Sequence, residues 1–162
     1  MPRVKNHEGL DRDAAELQRV LTDLFRVYQF RDRDAICCYD ISIGQSHGLE
    51  RLANSGPMTL NEFAASLFLE KSSASRLADG LERKGYLKRK PRADDARYLQ
   101  LDLTKRGWTL HDRIERDLIE ERAQVLADLS AEERQLVIES IARLAGAACA
   151  GVSTDAGCCV RN

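Results

Sequence analysis

The chain has 162 residues, 43% hydrophobic and 31% charged, with 25 Lys or Arg against 26 Asp or Glu for a net charge of −1. That length and balance suit one soluble, helix-rich domain with enough apolar residues for a real core. No stretch is apolar for the length of a membrane span, and the N-terminal MPRVKNHEGLDRD lacks the apolar run of a signal peptide. A cytoplasmic protein is expected, with its five cysteines as reduced thiols.

Helical periodicity dominates. Leu17, Val20, Leu21, Leu24, Phe25 and Tyr28 recur at three- and four-residue steps, the apolar stripe of a first helix. DISIGQSHGLERLANSG predicts a short second helix ended by Gly56-Pro57. Thr59-Leu60-Asn61-Glu62 matches a capping box and opens a third, with Leu60, Phe63, Ala64 and Leu67 facing inward. After a turn at Leu69-Glu70, a fourth helix buries Ala74, Leu77, Ala78 and Leu81 and stops at Lys84-Gly85. Tyr86 to Lys90 and Arg97 to Leu103 alternate as strands around the loop PRADDA. Thr104 caps a long fifth helix in which Leu110, Ile114, Leu118, Val125, Leu126 and Leu129 repeat, and Ser130-Ala131-Glu132-Glu133 is the capping box of a sixth. From Gly146 the sequence GAACAGVSTDAGCCVRN predicts a small, loose tail.

Charge is distributed unevenly along this pattern. Between Lys71 and Gly107, eleven Lys or Arg face five Asp or Glu, a balance of +6 inside a chain whose total is −1. A basic segment on an acidic remainder suits an element that meets nucleic acid. The order helix, helix, turn, helix, strand, strand is that of a winged helix-turn-helix. The fold class expected is mainly α with a small β-hairpin wing, plus a helical dimerisation region. Ser72, Ser73, Ser75 and Arg76 lie opposite the buried face of the fourth helix, where short polar side chains let it approach a major groove. Arg89, Lys90, Arg92 and Arg97 surround the hairpin loop, placed for phosphates or a minor groove. A solvated charged hairpin beside a surface helix is the plainer alternative; the agreement of helix order, caps and hairpin argues against it.

Three motifs carry a family resemblance. Leu81-Glu82-Arg83-Lys84-Gly85, Asp95-Ala96-Arg97 and Leu103-Thr104-Lys105-Arg106-Gly107 stand in order and spacing as in the MarR family of bacterial transcription regulators, which the chain resembles over roughly Asp11 to Gly146. The resemblance implies a homodimer whose two winged lobes reach successive major grooves of a roughly palindromic operator. It also implies repression relieved by a ligand, with Asp95 orienting the wing and Arg97 at the minor groove. The expected organisation is one MarR-like domain over 1–146, with dimerisation helices at 11–36 and 108–146 and the DNA-binding lobe at 42–103. A flexible cysteine-containing tail would follow at 147–162. A two-fold partner follows independently from the apolar stripes of Leu17 to Tyr28 and of Ile138, Ile141 and Leu144, which have no other cover inside a small winged domain.

The signal sensed is sought in the cysteines. Cys37-Cys38 lie where the first helix meets the second, Cys158-Cys159 near the C-terminus, and Cys149 between. Neighbouring residues point in different directions, so at most one of each pair packs inward and the other thiol stays available. Soft thiolates select soft ions, and trivalent arsenic or antimony favours three of them. The expected effector site is therefore Cys37, Cys38, Cys158 and Cys159 holding arsenite, antimonite or another soft metal, with no organic cofactor. Three alternatives stay open. In thiol oxidation, Arg31 and Arg33 would favour a thiolate at Cys37 or Cys38. In zinc sensing, His47, His111, Glu50 or Asp40 would join a cysteine. An aromatic acid would instead sit between helices beside Tyr28, Phe30 and Tyr39. An enzyme is not expected: Cys37, His47 and Asp40 could imitate a nucleophile, base and orienting acid, but nothing resembles a nucleophile elbow or a phosphate-cradling glycine loop.

Overall fold

A computed structural model describes residues 7–36, 38–92, 95 and 97–151. In chain order the elements are α1 (His7–Ile36), α2 (Ile43–Ser55), β1 (Met58–Thr59), α3 (Leu60–Ser66), α4 (Lys71–Arg83), β2 (Leu87–Pro91), β3 (Leu99–Leu103), α5 (Lys105–Val125) and α6 (Ala131–Gly151). The sheet is antiparallel in the order β1-β3-β2, with Leu87 opposite Leu103 and Met58 opposite Leu101. Among the described residues no helix is long and apolar enough to cross a membrane.

Helix starts are set by local chemistry. The Thr59 hydroxyl accepts the Glu62 N–H at 3.3 Å while the Glu62 carboxylate takes the Thr59 N–H at 2.7 Å and its hydroxyl at 2.8 Å. Ser130 and Glu133 repeat the arrangement before α6. A further box at Ser42 and Gln45 opens α2. The Thr104 hydroxyl accepts the Gly107 N–H at 3.1 Å at the head of α5. In each case the side chain satisfies backbone donors that a helix start leaves without partners.

The Thr59 hydrogen bonds, the backbone one foremost, hold the Glu62 carboxyl below its ordinary range. A depressed folded value stabilises the fold above the ordinary glutamate range and loses that contribution as pH falls through the folded value. Thr59→Ala is expected to cost about 1 kcal/mol in urea melts at neutral pH. Glu62→Gln is expected to flatten the acid limb of the stability curve; an unchanged limb would refute the assignment.

The end of α4 explains the first motif. Gly85 has φ 76°, in the left-handed region that glycine adopts without strain. Its N–H donates to the Glu82 carbonyl at 2.9 Å and the Tyr86 N–H to the Leu81 carbonyl at 3.0 Å. This Schellman pair closes the helix, and Leu81 and Tyr86 on either side of it are both buried. Phe63, Leu49, Leu52, Leu81, Leu87 and Leu101 are the largest fully enclosed side chains, so the core lies between α2, α3, α4 and the sheet. Ala74 and Ala78 are likewise sealed, and Leu60, Leu67 and Leu77 pack against this cluster.

Two expectations need revision. The C-terminal part is not loose from Gly146: α6 continues to Gly151, where Ala145, Ala147, Ala148 and Ala150 supply the strongest helix formers. The strand β1 had no counterpart in the sequence reading. By contrast, the stripes assigned to a partner are bare within one chain. Leu17, Val20, Leu24 and Phe25 on α1 and Ile138 and Ile141 on α6 are exposed, and no residue from 131 to 150 is buried.

Candidate nucleic-acid interface and sensory cavity

Helix α4 turns Ala74, Ala78 and Leu81 inward and leaves Ser72 and Arg76 exposed, with Ser73 and Ser75 half-buried beside them. The Arg76 guanidinium donates to the Ser73 hydroxyl at 3.3 Å, leaving most of its donors outward. Lys71 and Arg83, which the sequence reading passed over, are exposed on the same helix. Exposure on a helix with a sealed opposite face is the signal that marks them.

In the wing, Asp95 holds Arg97 through Nε at 3.0 Å, a terminal nitrogen at 2.9 Å and the backbone N–H at 3.0 Å. The guanidinium, acting first through its side-chain bonds, keeps the Asp95 carboxyl below its ordinary range. The Arg97 side chain is 87% exposed, so the planar group is aimed while its remaining donors face solvent. The Arg92 N–H closes the hairpin onto the Tyr98 carbonyl at 2.9 Å. Lys90 lies 2.7 Å from Asp102 across the ladder, with Lys88 at 3.8 Å from the same carboxylate.

Arg89 is placed otherwise than expected. It is on β2, half-buried, and its guanidinium reaches back to α4, bonding Asp79 at 2.6 Å with one nitrogen and Glu82 with the other. It ties wing to helix. The physical reason is that two carboxylates one helical turn apart face the strand, and the guanidinium fork spans both.

The joint between α1 and α2 is tied in two directions. The Tyr39 hydroxyl donates to Asp117 of α5 at 2.5 Å, with Arg113 over the ring. Burial, then the hydrogen bond to Asp117, raises the Tyr39 pKa. One residue on, the Asp40 carboxylate accepts from the Tyr86 hydroxyl at 2.8 Å, and the Asp40 carbonyl accepts from Lys84 at the end of α4. Asp40 thus serves this joint rather than any base at His47. Cys38 lies at the joint as an exposed thiol. Cys37, Cys158 and Cys159 lie outside the described residues. Cys149, expected as a reduced thiol, is disulfide-bonded. Arg31, expected to act on the Cys37-Cys38 thiols, pairs with Glu121 instead.

Between α2 and α5 a cavity of about 560 Å³ opens. Ile36, Leu49, Ile114 and Leu118 give it apolar walls, and His47, Glu50, His111, Glu115 and Arg122 line it as well. Tyr28, Phe30 and Tyr39 are not among its lining residues. Ligand atoms of His111, Asp112 and Glu115 come within 4.8 Å of one another. The sequence reading named His47, Glu50 and His111 and missed Glu115. Its signal was the four-residue step from His111, which puts both side chains on one helix face.

The sealed three-helix core, the Schellman-closed α4 and the hairpin define a winged helix-turn-helix protein. Residues 41–99 match the family model described as MarR family. Over those residues the chain is similar to the MarR family. It is similar to a MarR family protein from Bacillus stearothermophilus at 25% identity, with a TM-score of 0.76 over 83% of this chain and 94% of that one. RV1404 from Mycobacterium tuberculosis shares the fold at 24% identity and a TM-score of 0.74, over 83% and 93% of the two chains. Streptococcus pneumoniae FabT in complex with DNA does so at 23% identity and a TM-score of 0.69, over 81% and 94%.

Proposed function

We propose that this chain is a dimeric DNA-binding transcriptional regulator, acting as a repressor that leaves its operator when a thiophilic metalloid or soft metal binds cysteine thiolates. The observation that carries the DNA-binding part is the pairing of an outward polar face on α4 with Arg97, held aimed and exposed by Asp95. Ser72, Ser73, Ser75 and Arg76 then enter a major groove, and Arg97, with Lys90 and Arg92, meets the adjacent backbone or minor groove. The solved complex of FabT with DNA supports the same use of this fold.

The effector enters at the joint. Cys38 is an exposed thiol one residue from Tyr39, which holds α5, and two from Asp40, which holds the end of α4 and the start of the wing. Arsenite or antimonite bridging Cys38 to Cys37, Cys158 or Cys159 pulls on both ties and moves the recognition helices apart from their groove spacing. A second reading rests on the cavity. His47 and Glu50 on α2 line it together with His111 and Glu115 on α5. These N and O donors suit a zinc-class cation better than a metalloid.

Fluorescence anisotropy of the reduced protein on DNA from upstream of its own gene tests both readings. Arsenite or antimonite is expected to release the DNA at near-stoichiometric concentration, and Cys38→Ser to abolish the release. Release by zinc alone, lost in His111→Ala, would select the cavity. Release by peroxide alone would select thiol oxidation, and indifference to all of them an organic ligand. Arg97→Ala is expected to weaken binding about tenfold and to reduce the slope of log K against log salt by about 1. An unaltered slope would remove the wing from the interface.

A further inference from the structure

Arg89 is an arginine of this basic segment whose guanidinium is directed back onto α4. Its side chain is 27% exposed, against 87% for Arg97. Its two terminal nitrogens are both engaged, one on Asp79 at 2.6 Å and one on Glu82. Those carboxylates stand in the last turns of α4, the helix whose outward face carries Ser72 and Arg76. Arg89 itself stands opposite Leu101 in the middle of the β2–β3 ladder. The guanidinium therefore joins the centre of the wing to the far end of the helix.

We infer that Arg89 is a positioning residue: it fixes the angle between α4 and the wing and neutralises Asp79 and Glu82, and it makes no contact with DNA. The inference rests on the DNA-binding reading given above. Its physical basis is geometric. A winged lobe binds with two rigid parts, helix and hairpin, and the duplex accepts both only at one mutual angle. The planar fork of arginine spans two carboxylates at once, whereas the lysine ammonium is a single point charge on a flexible stem. Asp79 and Glu82 without Arg89 would also set two negative charges on the helix nearest the phosphates.

The consequence runs against simple charge counting. Asp79→Asn with Glu82→Gln adds two units of positive charge to a DNA-binding helix, which by electrostatics alone strengthens binding. If Arg89 positions, this double variant instead weakens operator binding on the order of tenfold, because the wing loses its anchor. Arg89→Lys is expected to weaken it to a similar degree although the charge is kept. The salt slope should stay at the wild-type value in Arg89→Lys, and Arg89→Ala should not show the drop of about 0.9 that a lost phosphate contact gives.

The experiment measures anisotropy isotherms over a salt series for wild type, Arg89→Lys, Arg89→Ala and the Asp79→Asn, Glu82→Gln double variant. Hydrogen exchange of the β2 and β3 amides is followed in the DNA-free proteins. Circular dichroism melts identify any variant that fails to fold, and Arg89→Lys is the mildest of the set. The expected result is weaker binding, an unchanged slope and faster hairpin exchange. Equal or tighter binding by the double variant, or full activity in Arg89→Lys, overturns the inference. Wild type without salt-dependent DNA binding overturns the DNA-binding reading instead. The tie is then judged by exchange alone, and hairpin amides as protected in the double variant as in wild type sink it.

Discussion

Gly107→Ala is expected to lower the melting temperature by roughly 6–12 °C, corresponding to a cost of about 3 kcal/mol at the upper end of overpacking. A Cβ at this position would lie 2.1 Å from the Tyr86 carbonyl oxygen and 3.0 Å from its carbon. Both are backbone atoms, so no rotamer change relieves the contact. The Tyr86 carbonyl is itself fixed, accepting the Thr104 N–H at 3.1 Å, while the Thr104 hydroxyl donates to the Gly85 carbonyl at 2.6 Å. The first turn of α5 is thus seated against the chain as it leaves α4 and enters the wing. Separating them disturbs the Tyr86 hydroxyl bond to Asp40 and, through it, the joint that carries Cys38. A loss of operator affinity should accompany the thermal shift. Gly146→Ala is the control: nothing lies within 4 Å of its Cβ, and alanine in an exposed helix is expected to stabilise by up to about 1 kcal/mol. Equal melting temperatures for Gly107→Ala and wild type would show that α5 and the wing are not seated as described.

What was legible in the sequence is what depends on neighbours in the chain. The boxes at Thr59 and Ser130, the Thr104 cap and the closure of α4 at Gly85 are each made within a few residues. The residues named for them are those that make the bonds. The strand β1 is two residues long, too short for any alternation, and exists because β3 offers it an edge. Helix α1 begins at His7, ten residues before Leu17, where a run of charged residues carried no stripe to read. In the sequence Arg89 presents as a phosphate contact because its charge is visible there, whereas its two carboxylates are brought to it by the Schellman turn and the strand that follows. The cavity divided in the same way. His47, Glu50 and His111 could be named by residue type, but that α2 and α5 bring them to one space is a tertiary fact. Of the cysteine site, only Cys38 falls among the described residues, so its surroundings alone bear on the effector.

The largest effect is expected at the bare stripes of α1 and α6. A pair of substitutions there, Leu24→Glu with Ile141→Glu, should convert the protein from a species of twice the chain mass to a monomer in sedimentation velocity. Leu24 is 38% and Ile141 53% exposed in the single chain, and Leu17, Val20, Phe25 and Ile138 around them are exposed too. Apolar side chains repeated along two helices exceed the scattered surface residues that a monomer carries without consequence. The same stripes face a second copy most economically, because a two-fold axis uses each surface twice. Such a dimer would matter for function through linkage: the second winged lobe would bind at the effective concentration set by the first. Losing it is expected to weaken operator binding by about a hundredfold or more with no residue of the interface changed. The isolated lobe should stay folded, since the core formed by Phe63, Leu49, Leu81 and Leu101 lies wholly within one chain. A half-operator fragment should therefore be bound about equally by the variant and by wild type. A variant that remains dimeric, or a wild type that sediments as a monomer, would mean that these stripes are covered by something other than a second copy.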